Sequence, residues 1–341
     1  MSQSYSLKID IFCHILPAKY RERLYKLAPE GTIQRKWLES LEVLPTLFDM
    51  NQRFRIMDKY EGLAQVLTIT SPPVECVAKP KLAADLARLA NDEMAELVFK
   101  YPDRFAAAVA CLPMNNMDAT LDEVDRTIND LKFRGAQVYT PVNDKPLDLP
   151  EFLPLFEKMS QYNLPIWIHP TRTVDYPDYR SETLSKYRMF LIFGWPYETT
   201  VAMTRLVFGG IFERYPNLKF ITHHGGGMVP FLEDRIIGVH DLDEIRRREN
   251  FKQGLTKAPI EYFKMFYLDT AIFGNASALK CVYDFSGAEH MLFGTDFPHD
   301  VQLGERYIRQ TINAVEQMDI PESDKKKIFE DNARRIMRLP L

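Results

Sequence analysis

Eight short apolar runs, most of them followed by an amphipathic segment, predict an α/β protein with a (β/α)8 TIM-barrel architecture. Strands alternating with helices require right-handed crossovers and a parallel sheet, and eight parallel strands close on themselves. The 341 residues suit such a barrel with insertions, and no linker, internal repeat or low-complexity tract divides them. One domain over residues 1–341 is therefore expected.

Taken in order, the runs are 7–13, 63–70, 105–112, 134–140, 164–169, 218–223, 265–270 and 290–295. Most are unbroken and rich in β-branched or aromatic residues, as strands buried on both faces are. Helical periodicity is clearest at 82–101, 118–132, 151–162, 199–214 and 304–317, with start signals at Asn115 to Asp118 for the second. Two stretches break the rhythm. Residues 15–60 exceed one helix and its turns, and roughly 17–50 read as a small insertion over one barrel mouth. Residues 171–198 read as a long loop after the fifth strand, a place from which loops commonly cover a site. Tyr176, Tyr179, Tyr187, Phe190, Phe193, Trp195 and Tyr197 are expected to line or cover a pocket, with Trp195 beside Gly194 as its gate.

Composition narrows the partners. The chain is 46% hydrophobic and 26% charged, and its 43 basic against 47 acidic residues leave −4 with neutral histidines. That balance, without any basic block, argues against a nucleic-acid or anionic-membrane partner. The longest apolar stretches fall far short of the roughly 20 residues that span a bilayer. The start, Met-Ser-Gln-Ser-Tyr-Ser, has no export signal. Cys13, Cys76, Cys111 and Cys281 show neither CxxC spacing nor disulfide-scaffold density. A cytoplasmic protein is expected.

Chemistry concentrates where the strands end. The first ends in Asp10-Ile11-Phe12-Cys13-His14, the fifth in His169, the sixth in His223-His224 before Gly225-Gly226-Gly227, and the eighth in Asp296. A closed parallel barrel brings all these ends to one face. Histidines and a carboxylate converging there are the ligand set of a zinc- or manganese-like ion, and three ligands plus an open position make such a site catalytic. Singly, a histidine after an apolar strand is more often a hydrogen-bonded core residue; the recurrence at four strands favours a shared site. Gly225 to Gly227 suit a turn needing positive φ. His240 and His290 read as structural, and His299 as a neighbour of the site or a substrate contact.

At these residues the sequence resembles a known family, the amidohydrolase-related (amidohydrolase 2) decarboxylases typified by aminocarboxymuconate-semialdehyde, γ-resorcylate and 5-carboxyvanillate decarboxylases. The motifs occur in order over nearly the whole chain. They are Ile9-Asp10…His14-Ile15-Leu16-Pro17, Arg53-Phe54-Arg55-Ile56-Met57-Asp58, Trp167-Ile168-His169-Pro170, His224-Gly225-Gly226-Gly227…Pro230-Phe231 and Gly294-Thr295-Asp296-Phe297-Pro298. The resemblance implies an amidohydrolase-like TIM barrel, one divalent metal ion (Zn or Mn), and non-oxidative loss of CO₂ from a small aromatic or unsaturated carboxylic acid. It further implies His14, His169 and Asp296 as metal ligands, and His224 as the acid, base or water activator beside the metal. Arg53 matches a holder of the substrate carboxylate. Arg235, eleven residues after His224, matches an arginine reaching the neighbouring subunit's site, so a homodimer or higher homo-oligomer is implied. Trp195 and His299 complete the expected substrate contacts, and either His224 or Asp296 moves the proton.

One position departs from the family. Phe12 stands where the first histidine of an HxH pair, or a glutamate, would ligate the metal. Three readings stay open. The metal is retained on His14, His169 and Asp296 with water in the gap; Cys13 helps, although strand alternation turns it away; or the metal is lost. The last would leave a metal-independent catalyst or a silent subunit of a hetero-oligomer. The first is adopted, because the remaining set is intact. A hydrolase or hydratase on the same scaffold is the other alternative.

Overall fold

The structure is a computed structural model that describes residues 7–246 and 254–340; the N-terminal residues bearing on export lie outside it. The strands are β1 (Lys8–Ile15), β2 (Leu63–Ile69), β3 (Phe105–Ala108), β4 (Ala110–Cys111), β5 (Ala136–Thr140), β6 (Ile166–Pro170), β7 (Phe220–Thr222), β8 (Tyr267–Asp269) and β9 (Met291–Leu292). β1 to β3 pair in chain order, as do β4 to β9, and every pairing is parallel. The predicted run 105–112 is one strand position interrupted at Val109. There the Val109 N–H donates to Leu67 O at 3.0 Å and the Ala110 N–H to Gly135 O at 2.9 Å, carrying the sheet across the break. The ring closes between the chain after β9 and β1, where Ile11 N–H donates to Phe293 O (2.9 Å) and His14 N–H to Phe297 O (2.7 Å). The result is the (β/α)8 TIM barrel.

Side-chain alternation decides what fills it. Ile9, Ile11, Val66, Val109, Trp167, Ile221 and Leu292 form the interior cluster, with the Trp167 indole donating to Ile11 O at 3.0 Å across the floor. A register shift between Asp10 and Cys13 bulges β1 and resets the alternation. Beyond it Phe12 joins the interior cluster, whereas Cys13 and Ile15 join the outer core beneath the helices. Asp10 pins the bulge: its carboxylate accepts from the N–H groups of Phe12 (3.3 Å) and Thr295 (3.0 Å).

The helices follow their local signals. Pro80–Lys100 starts on a proline, whose missing N–H costs nothing in a first turn. Asn116 caps Met117–Asn129 by accepting from Ala119 N–H, and Leu153–Tyr162 stops at left-handed Asn163. The expected segment 199–214 is two helices, Trp195–Phe208 and Ile211–Arg214, separated at Gly209-Gly210, with Gly210 at φ 70°. The expected loop 171–198 is partly helical. Phe190–Gly194 forms a wide turn running straight into Trp195–Phe208, so Trp195 opens a helix and does not ride on a free loop. The segment expected as an insertion carries helices Ala18–Leu27 and Ile33–Ser40, the second capped by Thr32 at Arg35 N–H, and Met50–Met57 follows it. Its Trp37 reaches back to the barrel mouth and donates to Ser71 O at 3.2 Å. No helix among the described residues is long and apolar enough to cross a membrane.

Glu75, in the short helix Val74–Val77 after β2, is buried with Oε1 unpartnered, and burial pushes its carboxyl up to about 7 from 4.5. The folded protein therefore binds more protons than the unfolded chain between these values, and stability falls as pH rises through that window. Glu75→Gln is expected to flatten the slope, leaving the variant more stable than wild type at pH 8 by on the order of 3 kcal/mol and level with it at pH 4. Thermal melts at both pH values check this; an unchanged slope in the variant contradicts it.

Candidate metal centre and active site

The polar strand ends meet at one mouth of the barrel. His14 lies near the end of β1 and His169 near the end of β6; His223 and His224 follow β7, Asp269 ends β8, and Asp296 follows β9. Each of three imidazoles is held at Nδ1. His14 Nδ1 lies 3.2 Å from Thr68 Oγ1, His169 Nδ1 lies 2.7 Å from the Pro170 carbonyl, and His223 Nδ1 meets the Asp269 carboxylate. Fixing one ring nitrogen leaves the other aimed at the centre, the usual arrangement of metal-binding histidines. His14 Nε2 and His223 Nε2 both approach Asp296 Oδ1, at 3.1 and 3.3 Å, without a well-directed hydrogen bond. Buried nitrogens rarely go unpaired, because desolvation then has no compensation.

The ligand atoms of His14, His169 and His223 lie within 4.8 Å of one another, and the same holds for His14, Asp296 and His299 and for His223, His224 and Asp296. Imidazole nitrogens with one carboxylate suit a divalent ion of the zinc or manganese kind. Charge at Asp296 and His169 agrees with that. Burial opposes ionisation of Asp296, but the His14 and His223 rings beside it hold its carboxyl well below the usual range. Burial, reinforced by His14 and His223, keeps His169 well below the usual imidazole range and so neutral, the form that binds metals. For His223 burial works against charge, yet Asp269 and Asp296 outweigh it and raise the ring to about 9. Burial brings His299 down to about 4.

Two site residues sit in strained backbone. His224 at φ 56° and Asp296 at φ 64° are left-handed non-glycine residues, a conformation found chiefly where a site demands it. Gly227, at φ 64°, has a second reason to be glycine: a Cβ there would lie 2.4 Å from Pro196 O. The turn thus packs directly under the helix that opens with Trp195.

Above the ligands lies a cavity of about 520 Å³, with His169, His224, Asp296 and His299 among its lining and Trp37, Trp195, Phe273 and Tyr307 among its walls. A second cavity of about 580 Å³ shares Trp37, Ser71 and Trp195 with it and adds Lys36, Arg172 and Arg188. Trp195 stands between the two, edge-on to His169 at 5.4 Å, its indole N–H donating to Arg172 O at 3.1 Å.

The structure places His14, His169, His224, Asp296, Trp195 and His299 near one another at this mouth. Arg53 it places elsewhere. Its guanidinium is fully buried behind β1, donating to His14 O (2.8 Å) and Gln65 Oε1 (2.7 Å) and lying 4.6 Å over the Phe297 ring. It braces the strand that carries His14 and does not line the cavity. Arg235 is exposed on helix Glu233–Arg246 and likewise does not line the cavity. Of the loop aromatics, Phe190, Tyr187 and Trp195 line a cavity, whereas Tyr179, Phe193 and Tyr197 face outward. His290 is structural, stacked on Tyr267 at 4.6 Å, and His240 packs on Phe208. Three participants carried no assigned role in the sequence reading: His223, Asp269 and Trp37. Asp269 had a signal, since it ends a strand candidate in an acid as Asp296 does. Trp37 had none, lying in the insertion.

The chain is similar to 2-amino-3-carboxymuconate-6-semialdehyde decarboxylase of Dictyostelium discoideum, 30% identical over 352 residues covering 98% of this chain and 92% of the relative. It is 30% identical over 295 residues to γ-resorcylate decarboxylase of Rhizobium sp. (strain MTP-10005), covering 84% of this chain and 86% of the relative. Among solved structures, 2,6-dihydroxybenzoate decarboxylase complexed with 2,6-dihydroxybenzoate matches with a TM-score of 0.78 and 25% identity, covering 98% of this chain and 100% of the other. Dihydroxybenzoic acid decarboxylase from Polaromonas sp. JS666, with bound manganese and 2-nitroresorcinol, matches with a TM-score of 0.77 and 26% identity, covering 98% of each. The amidohydrolase family model matches residues 9–339, and the chain belongs to that family.

Proposed function

We propose that this protein is a metal-dependent carboxy-lyase that removes CO₂, without oxidation, from a small aromatic acid bearing an oxygen beside its carboxylate. The observation that carries the reading is that His14 shares one ligand-distance cluster with His169 and another with Asp296, and that His169 and Asp296 line a cavity walled by Trp37, Trp195, Phe273 and Tyr307. Flat apolar walls over a few charged groups suit a small planar acid. The relatives' names, which include dihydroxybenzoate, γ-resorcylate and 6-methylsalicylic acid decarboxylases, support the substrate class.

His14, His169 and Asp296 would hold the ion. When bound, a divalent ion supplies a Lewis acid for the carboxylate and its neighbouring oxygen. Manganese, the ion in the Polaromonas decarboxylase structure, is favoured over zinc. The carbon losing CO₂ must gain a proton. His224 lines the same cavity with Nε2 4.0 Å from Asp296 Oδ2, and is the group that moves the proton. Trp195 and Trp37 close the mouth, keeping water from the carbon as charge develops.

A homodimer belongs to the same reading. Arg235 shares one helical stripe with Val239 and Leu242, which are 46% and 42% exposed, and Phe231 just before the helix is 82% exposed. Exposed apolar side chains in line at helical spacing mark a surface that another chain covers.

The metal-loaded protein is expected to release CO₂ from 2,6-dihydroxybenzoate or 6-methylsalicylate and not from 3,5-dihydroxybenzoate, which lacks the neighbouring oxygen. Equal release from all three, or from none, would contradict the proposed substrate class.

A further inference from the structure

We infer that His223, held from behind by Asp269, is itself a ligand of the divalent ion and supplies from β7 the donor that Phe12 does not supply from β1. The inference rests on the metal-dependent reading above and adds a ligand to it.

The argument begins at Phe12. Its ring is fully buried in the middle of the histidines, 6.1 Å from the His14 ring, 6.2 Å from His169, and stacked on His223 at 3.9 Å with 15° between planes. A phenyl group has no lone pair to offer a cation. Its flat face does, however, fix the plane of the imidazole lying on it.

His223 is sealed from solvent and held at its far nitrogen by a carboxylate that is itself anchored. Asp269 Oδ2 takes His223 Nδ1, while Oδ1 accepts from the N–H groups of Gly225 (2.9 Å) and Ala271 (3.0 Å). A carboxylate behind an imidazole sets its tautomer and orientation and strengthens the opposite nitrogen as a ligand. That opposite nitrogen, Nε2, makes no well-directed hydrogen bond and lies 3.3 Å from Asp296 Oδ1, and His223 offers a ligand atom within the 4.8 Å group formed with His14 and His169.

A purely bracing role for His223 accounts for Nδ1 and the glycine turn. It leaves Nε2 buried, without a well-directed hydrogen bond, and crowded with the Nε2 of His14 onto one oxygen of Asp296. Ligation accounts for both nitrogens. It also divides the doubled histidine: the His223 ring belongs to the sealed metal cluster, and the His224 ring, 3.9 Å away, belongs to the open cavity.

Manganese(II) binding measures this directly. Protein stripped by chelation and reloaded with Mn(II) is titrated for affinity, and electron spin-echo modulation with ¹⁵N-histidine labelling counts the coupled imidazoles. Wild type is expected to show three, and His224→Asn also three. His223→Asn should show two, with affinity lowered by more than roughly tenfold. In the Phe12→His, His223→Asn double variant the third coupling and most of the affinity should return. Two couplings in wild type would overturn the inference without recourse to any variant, which matters if His223→Asn folds poorly. So would three couplings and unchanged affinity in His223→Asn. Manganese binding that depends on His169 and Asp296 but not on His223 overturns this inference alone. Manganese that fails to bind, or binds regardless of His169 and Asp296, overturns the metal reading and this inference with it.

Discussion

Asp296→Ala is expected to take metal content and turnover to background together. Among the described residues it is the carboxylate that faces three imidazoles of the site, with Oδ1 near His14 and His223 and Oδ2 toward His224. A divalent ion held otherwise by neutral rings loses its anionic ligand, and the rings lose the charge that keeps them ordered around a common point. Affinity for the metal should fall at least about a hundredfold, equivalent to some 2.8 kcal/mol. Turnover follows, because the substrate's carboxylate then meets no Lewis acid. Elemental analysis of the purified variant beside a CO₂ assay checks both at once. Full metal occupancy in Asp296→Ala would show that the ligands are other residues.

His224→Asn separates chemistry from binding. Asparagine keeps a polar group of similar reach but cannot carry a proton at neutral pH. His224 lines the cavity beside the ligands, and its Nδ1 makes no hydrogen bond, so its replacement disturbs little else. Loss of a general acid or base usually costs 10²–10⁴ in rate, about 3–5 kcal/mol of barrier. The variant is expected to lose kcat in that range while keeping its metal and a KM within a few-fold of wild type. Rate–concentration curves with parallel metal analysis report the split; a raised KM at unchanged kcat would make His224 a binding group.

Much of this site was legible in the sequence because a parallel barrel converts strand ends into neighbours. His14, His169 and Asp296 could be placed together from that rule alone. What the rule does not carry is side-chain direction beyond the last strand residue. β7 ends at Thr222, and strict alternation would send only one of His223 and His224 inward. The left-handed backbone at His224 and the glycines after it turn both rings to the same side. Phe12 was readable as a missing ligand, but the compensating donor sits some 210 residues away, and only the closed ring brings the two rings face to face. Arg53 shows a different limit. Its motif and its helix were evident, yet helical spacing does not say which side of β1 the helix packs on. It packs behind, where the guanidinium serves the His14 carbonyl. Trp37 depended on how an insertion folds back over the mouth, for which the sequence has no local signal.

Incubation of the metal-loaded protein with 2,6-dihydroxybenzoate in D₂O tests the central claim most directly, because it follows the bond that breaks and the bond that forms. The account predicts one CO₂ per molecule consumed and a product carrying a single new deuterium at the carbon that held the carboxylate. A product heavier by the elements of water, or CO₂ release that proceeds equally in Asp296→Ala, would contradict it.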